Sequence, residues 1–305
     1  METCTARVVG VGVMRDCKGS KMRKFGERSM REELEKKVQR AIRLLQSIPK
    51  DKEVELCYSG GKDSDVILEL ANMGGVKVRP IYKCTTIDPK GTTSHCKSKE
   101  VEVVMPKVSF LKLIEKKGFP TFRARFCCDE LKEYKICDVA IQGIRRSESV
   151  KRSARYKEPQ ICRFYGSKKN HVSVFLPILE WTNEDVEEFI TERGVKCHPL
   201  YYDEKGKFHV ERRLGCMGCP LKSDRGLADF KANPRFLKAY LKAGKKWWDS
   251  HPKVASVRNF RTVYDLFVHN VFYDSYDDFK LATSGMFGDL DCKKFIEEYF
   301  GIDLE

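Results

Sequence analysis

The 305-residue chain has no apolar run near the ~20 residues that a membrane-crossing helix requires, so no membrane partner is expected. A secretory signal is also missing: the opening apolar stretch, Val8 to Met14, is broken by glycines and has no small-residue cleavage site. No internal repeat or low-complexity tract appears, which leaves repeat arrays aside. An even cysteine framework is lacking too. The 13 cysteines are spread through apolar strands and polar loops, unlike a secreted disulfide scaffold. The expected location is therefore cytoplasmic and reducing, where clustered cysteines become metal candidates. What the chain has in excess is positive charge. A net charge of +14 and a pI near 9.1 point to polyanionic partners: nucleotide, nucleic acid, or both.

The phosphate-binding spacing G-x-x-x-x-G-K-[ST] is absent as well. In its place stands Ser59-Gly60-Gly61-Lys62-Asp63-Ser64, between a strand-like run (Val54 to Tyr58) and a helix-like run (Val66 to Ala71). Glycines there let the backbone turn tightly and approach a polyphosphate. The following helix offers unpaired N–H groups and its positive dipole end to an anion. Lys62 adds a mobile charge, and Ser59 and Ser64 add hydroxyls.

Alternation of elements sets the expected fold. Ser29 to Glu32 reads as a capping box for a helix with apolar positions Met30, Leu34, Val38, Ala41, Ile42 and Leu45, closed by Pro49. Strand-like runs follow at 54–58, 78–82, 101–105, 139–144 and 172–178, with helical stretches at 64–73, 109–117 and 128–135 between them. Near-continuous apolar strands separated by helices predict an α/β fold, a parallel sheet of about five strands covered on both faces. Ligands of such sheets sit at the carboxyl ends of strands, where the 59–64 loop falls. Thr182 to Asp185 opens another helix, and segments near 235–249, 261–272 and 292–299 predict a helical C-terminal subdomain. The resulting organisation is an N-terminal segment and helix (1–50), an α/β domain (51–222) and the helical subdomain (223–305).

Two further constellations carry chemistry. Cys127-Cys128 and Cys216-Met217-Gly218-Cys219 supply four thiolates, enough for a tetrahedral zinc or a [4Fe–4S] cluster, and spacing does not choose between them. Their bland alternative is a pair of small buried apolar residues on a helix. Gly143-Ile144-Arg145-Arg146-Ser147-Glu148-Ser149 ends an apolar strand with two guanidinium groups suited to phosphate or sulfate, with Lys151, Arg152 and Arg155 following. A solvated basic loop is the competing reading of that segment.

The loop at 59–64 resembles the SGGxDS "PP-loop" of ATP pyrophosphatases, in which ATP is cleaved between the α and β phosphates and the substrate is adenylylated. With Thr85-Thr86-Ile87-Asp88-Pro89, the cysteine pairs, GIRRSES and Pro199-Leu200-Tyr201, residues 54–222 resemble the phosphoadenosine phosphosulfate (PAPS) reductase family of adenine-nucleotide α-hydrolase-like proteins. The resemblance implies a [4Fe–4S] cluster on Cys127, Cys128, Cys216 and Cys219, with zinc less favoured and Cys197 as a reserve ligand. It departs from the reductases in two ways. Their Glu-Cys-Gly-(Ile/Leu)-His motif is missing, Cys292 being the sole C-terminal cysteine, and the loop is intact as in ATP-cleaving members.

Both departures imply an ATP pyrophosphatase that adenylylates a substrate in a sulfur-transfer pathway, such as DNA phosphorothioation. Ser59, Gly60, Gly61, Lys62, Asp63 and Ser64 would bind ATP. Lys62 would stabilise the leaving pyrophosphate, and Mg2+ would bridge the phosphates with Asp63 or Asp65 as ligand. Arg145 and Arg146 would hold the α-phosphate or the group being activated. Implied partners are an adenine nucleotide, nucleic acid and a sulfur-donor protein such as a cysteine desulfurase. The basic-aromatic stretch Lys242 to Trp248 fits nucleic acid and fits a core-packing helix about as well. Alternatives are a sulfonucleotide reductase using Cys292 or a partner thiol, and a nucleotide-sensing or nucleic-acid-binding protein without catalysis.

Overall fold

A computed structural model describes residues 30–165, 171–285 and 289–304. Ser29, half of the expected capping box, lies outside them. The elements in chain order are α1 (Glu32–Gln46), β1 (Val54–Tyr58), α2 (Lys62–Met73), β2 (Arg79–Lys83), α3 (Thr92–Ser98), β3 (Glu102–Val104), α4 (Phe110–Lys117), α5 (Phe126–Leu131), β4 (Val139–Ile141), α6 (Val150–Arg155), β5 (Gln160–Phe164), β6 (His171–Phe175) and α7 (Asn183–Arg193). Six further helices follow: α8 (Leu227–Ala232), α9 (Pro234–Ser250), α10 (Ala255–Asn259), α11 (Val263–Phe272), α12 (Tyr276–Thr283) and α13 (Cys292–Phe300).

The sheet has six strands in the order β3-β2-β1-β4-β6-β5, one more than expected. All neighbours run parallel except β5, which pairs antiparallel with β6 at the edge. That strand escapes the sequence reading because Gln160-Ile161-Cys162-Arg163-Phe164 mixes polar with apolar residues and buries none of them fully, so no continuous apolar run marks it. The chain turns outward from β1 to β2 and β3, then crosses back to β4 on β1's other side. The reversal places a crevice between the carboxyl ends of β1 and β4, the point where α/β sheets bind ligands.

One face of the sheet is covered by α1, α2 and α7. Leu34, Val38, Ala41, Ile42 and Leu45 are buried at helical spacing, and Arg31 stands where a side-chain cap was expected. Lys37 fastens α1 to Asp185 at 2.7 Å, and that same carboxylate completes the capping box of α7 with Thr182, as expected. A second core joins α4 to the C-terminal helices. Phe119 stacks on Tyr240 with centroids 4.9 Å apart, and the buried Trp247 packs over Gly118. The helical region thus shares its core with α4, which precedes it by more than a hundred residues. Trp247 is 6% exposed, so of the two readings of the basic-aromatic stretch, packing describes this tryptophan.

Candidate functional site

The 59–64 loop closes on itself. Ser59 Oγ accepts from Gly61 N at 3.3 Å, and Ser64 Oγ donates to the Gly61 carbonyl at 2.6 Å. Gly60 adopts φ +76°, and a Cβ there would stand 2.9 Å from Thr92 Cγ2 on α3. Only glycine meets both demands. α2 starts directly at Lys62, with Gly61 as its N-cap, which puts the positive end of the helix dipole at the loop. Across the crevice, Gly143 lies so close to α2 that a Cβ would be 3.0 Å from the Asp63 carbonyl oxygen.

These elements enclose a polar pocket of about 150 Å³, lined by Ser59, Lys62, Asp63, Arg152, Tyr201 and Arg213 among others. Lys62 Nζ donates to the Arg212 carbonyl at 3.4 Å and stands 3.7 Å from Asp63 and 5.3 Å from the centre of the Tyr201 ring. Burial pushes the Lys62 pKa down; Asp63 opposes this, while Arg145 and Arg213 add to it. Burial and Arg213 likewise lower that of Arg152, despite its ion pair with Glu148. Arg213 approaches Glu148 from the other side at 3.8 Å. Three cations, Lys62, Arg152 and Arg213, therefore share one small pocket with two carboxylates, Asp63 and Glu148, which leaves it one positive charge in excess. Tyr201 braces the wall, its hydroxyl accepting from Leu214 N at 3.3 Å, while Arg212 Nη1 donates to the carbonyls flanking it, Leu200 and Tyr202. A second pocket, of about 190 Å³, adjoins along the ends of β1, β2 and β4 and shares Cys57 and Ser59.

The two arginines of GIRRSES divide. Arg145 is fully buried and donates to Asp63 Oδ1 (2.7 Å), Asn183 Oδ1 (3.1 Å) and Ser147 Oγ (3.2 Å), so it holds Asp63 rather than facing the pocket. Arg146 points elsewhere, donating to the carbonyls of Tyr156 and Lys157, with Glu180 at 3.5 Å. Arg152 and Arg213, rather than that pair, line the pocket. Arg152 is three residues beyond GIRRSES, whereas no local pattern distinguishes Arg213. Asp65 is also turned inward, bonded to the Tyr58 hydroxyl and to His95 Nε2 at 3.1 Å. Of the two proposed magnesium ligands, Asp63 alone lines the pocket.

The four thiols come from two segments, the first turn of α5 and the loop before α8. Met217 N donates to the Ile87 carbonyl at 2.8 Å, docking the Cys216–Cys219 loop on the 85–89 stretch, and Cys216 Sγ lies 3.6 Å from Thr85 Oγ1. A hydrogen bond shared with Cys128 raises the Cys127 thiol, with burial and the charges of Cys128, Cys216 and Cys219 adding to it; the same bond lowers Cys128. The soft donors suit iron–sulfur or zinc. Among the described residues, however, no three His, Cys, Asp or Glu side chains are gathered as a metal-holding group. Cys197 lies in the sheet-side core beside Asp65, apart from the other four.

Cys292, the candidate reductase thiol, is 2% exposed at the start of α13. Burial and a hydrogen bond to Asp265 push its pKa up to about 12. A thiol so held is almost entirely protonated at neutral pH and a poor nucleophile. We expect Cys292 to resist alkylation by iodoacetamide at pH 8 in the folded protein and to label readily in denaturant. Rapid labelling of the folded chain, mapped to Cys292 by peptide mass, would contradict this placement.

The fold and pocket define a PP-loop α/β protein, with a glycine loop at the switch point of a mostly parallel sheet. The phosphoadenosine phosphosulfate reductase domain family matches residues 53–222, more than half of the chain, and the chain belongs to that family. An uncharacterized 37.8 kDa protein of Escherichia phage 186 is 32% identical over 139 residues, covering 40% of this chain and 38% of the phage protein. A phosphoadenosine 5'-phosphosulfate reductase of Vibrio campbellii is 40% identical over 50 residues, 15% of this chain and 19% of the enzyme. The chain thus spans well under half the length of the curated relatives it matches. Among solved structures, PAPS reductase of Candida auris in a phosphate complex is 15% identical with a TM-score of 0.38, covering 63% of this chain and 98% of that one. The NH3-dependent NAD synthetase of Campylobacter jejuni, in complex with nitrate, is 15% identical with a TM-score of 0.36, covering 74% and 96%.

Proposed function

We propose that the chain binds ATP and cleaves it between the α and β phosphates, adenylylating an acceptor in a sulfur-transfer reaction, with DNA phosphorothioation as the pathway it suits. The observation that carries this reading is the pocket at the intact loop, where Lys62, Arg152 and Arg213 face the N-terminus of α2. A diphosphate is the group that such a concentration of fixed donors would favour, and its departure is the step they would assist. The adjoining pocket at the ends of β1, β2 and β4 would take the nucleoside. Asp63, oriented by Arg145, would hold Mg2+ against the phosphates.

Cys127, Cys128, Cys216 and Cys219 are the residues that would hold a [4Fe–4S] cluster, with zinc the less favoured occupant. Such a cluster supplies soft iron sites able to bind sulfur. A cysteine desulfurase is the kind of donor that would supply that sulfur. The support is the soft donor set and the electrostatic influence of Cys128, Cys216 and Cys219 on Cys127, and no catalytic step is routed through the group.

The test is anaerobic purification with an absorption spectrum, then a pyrophosphate-release assay with ATP and DNA. Brown protein with broad visible absorption that bleaches on reduction, and ATP-dependent pyrophosphate release, are expected. Colourless, zinc-containing protein would refute the cluster, and tight ATP binding without pyrophosphate release from any acceptor would favour a nucleotide sensor. The short match to a PAPS reductase favours a second reading, reduction of a sulfonucleotide. Sulfite release from PAPS with reduced thioredoxin would establish it, and the burial of Cys292 would then require a partner's thiol.

A further inference from the structure

We propose that the rim of the phosphate pocket built from the 121–125 loop and α6 binds single-stranded nucleic acid, holding its phosphates with cations and stacking a base on Phe122. Phe122 is 59% exposed in the loop between α4 and α5, and Lys151 Nζ stands 4.7 Å from the centre of its ring. Val150, next to that lysine, is 87% exposed. Arg123, Lys151 and Arg155 are all exposed, and among the described residues no carboxylate pairs with them. α6 links the patch to the pocket: its Lys151 lies against Phe122, and Arg152 of the same helix lines the pocket beside Arg213. The carboxylate at this edge, Glu148, is already engaged by both of those arginines.

Charge and shape together select the occupant. Lysine and arginine on phosphates release counterions, which drives binding without regard to sequence. An exposed aromatic face adds base stacking, and that requires an unpaired base. A single strand offers spaced anions together with flat apolar faces. An acidic peptide would meet the cations but leave Phe122 and Val150 without a counterpart. The strand's role as acceptor rests on the reading of the pocket as the nucleotide site, whereas its binding to the rim does not.

The experiment measures fluorescence anisotropy of a labelled single-stranded DNA oligonucleotide on the full chain, with ATP binding followed separately by calorimetry. Phe122→Ala should weaken oligonucleotide binding about five- to one-hundredfold. Lys151→Ala with Arg155→Ala should reduce the slope of log affinity against log salt by about 1.4. Both variants should keep the wild-type melting temperature and ATP affinity. Wild-type oligonucleotide affinity in both variants would overturn the proposal. So would equal binding of the duplex with Phe122→Ala silent, or competition by polyglutamate as effective as by the oligonucleotide. Rim-dependent oligonucleotide binding by a protein that fails to bind ATP would support the rim and refute the pocket reading instead.

Discussion

Lys62→Ala is expected to slow pyrophosphate release from ATP by about 10²–10³-fold, the usual cost of removing one preorganised donor from a developing charge. The ammonium is positioned by Asp63, the Arg212 carbonyl and the Tyr201 ring. Arg145 is committed to Asp63, and Arg152 and Arg213 to Glu148. Lys62→Arg should restore only part of the rate, since the planar fork demands more room than a pocket of about 150 Å³ leaves beside two arginines. Unchanged release by Lys62→Ala, measured with the same acceptor, would remove the lysine from the mechanism.

The same residue sets a pH dependence. Burial, reinforced by Arg145 and Arg213, holds the Lys62 pKa below that of an ordinary lysine. As pH rises through this lowered value the ammonium loses its proton and ATP affinity falls, on a limb that arrives earlier than for an exposed lysine and vanishes in Lys62→Ala. The sign for stability is opposite. A lysine whose pKa is depressed by folding costs stability below its folded pKa, and the cost fades as pH rises towards its unfolded value. Lys62→Met should therefore melt no lower than the native protein at neutral pH while losing activity. Calorimetric melting and ATP titration across pH 7 to 10 test both signs.

Trp247→Ala is expected to destabilise the chain by about 3–5 kcal/mol, the range for deleting a buried aromatic ring. The indole is packed against Gly118 in the core that joins α4 to α9. One turn earlier, a Cβ on Gly244 would stand 2.1 Å from Phe119 Cζ, deep inside the ring's contact distance. Gly244→Ala therefore sets two effects against each other. Helix propensity favours alanine by about 1 kcal/mol, whereas overpacking costs about 1–3 kcal/mol and at this separation should win. Urea unfolding of both variants measures the balance. A stabilised Gly244→Ala, or a Trp247→Ala that keeps its stability but loses oligonucleotide binding, would reassign α9 from core to nucleic-acid surface.

The readable parts of the site are those coded within a few adjacent residues. The strand, glycine turn and helix start at 54–64 need only local backbone preferences, so loop and location were visible together. The Thr182–Asp185 cap was legible for the same reason. The roles of Arg145, Arg146 and Asp65 were not, because adjacent side chains in GIRRSES or in Lys62-Asp63-Ser64-Asp65 leave the backbone in different directions. Arg145 turns to Asp63, Arg146 to the Tyr156 and Lys157 carbonyls, and Asp65 to Tyr58 and His95. β5 was missed because an edge strand half in water needs no apolar pattern. Arg213 and Tyr201 reach the pocket from a segment far downstream in the chain, a closure that no local pattern encodes.

By itself the sequence determined an α/β fold on a parallel sheet, a glycine loop at a strand end, and a thiol-rich chain with a large positive charge. Those features follow from residue type and spacing along the backbone. Tertiary structure alone decided which cations face the loop, that Cys292 is buried, and that Trp247 fills a core. It also decided that the exposed aromatic among unpaired cations is Phe122. Burial, direction and pairing are set by contacts between segments far apart in the chain, and each changes what the same side chain can do.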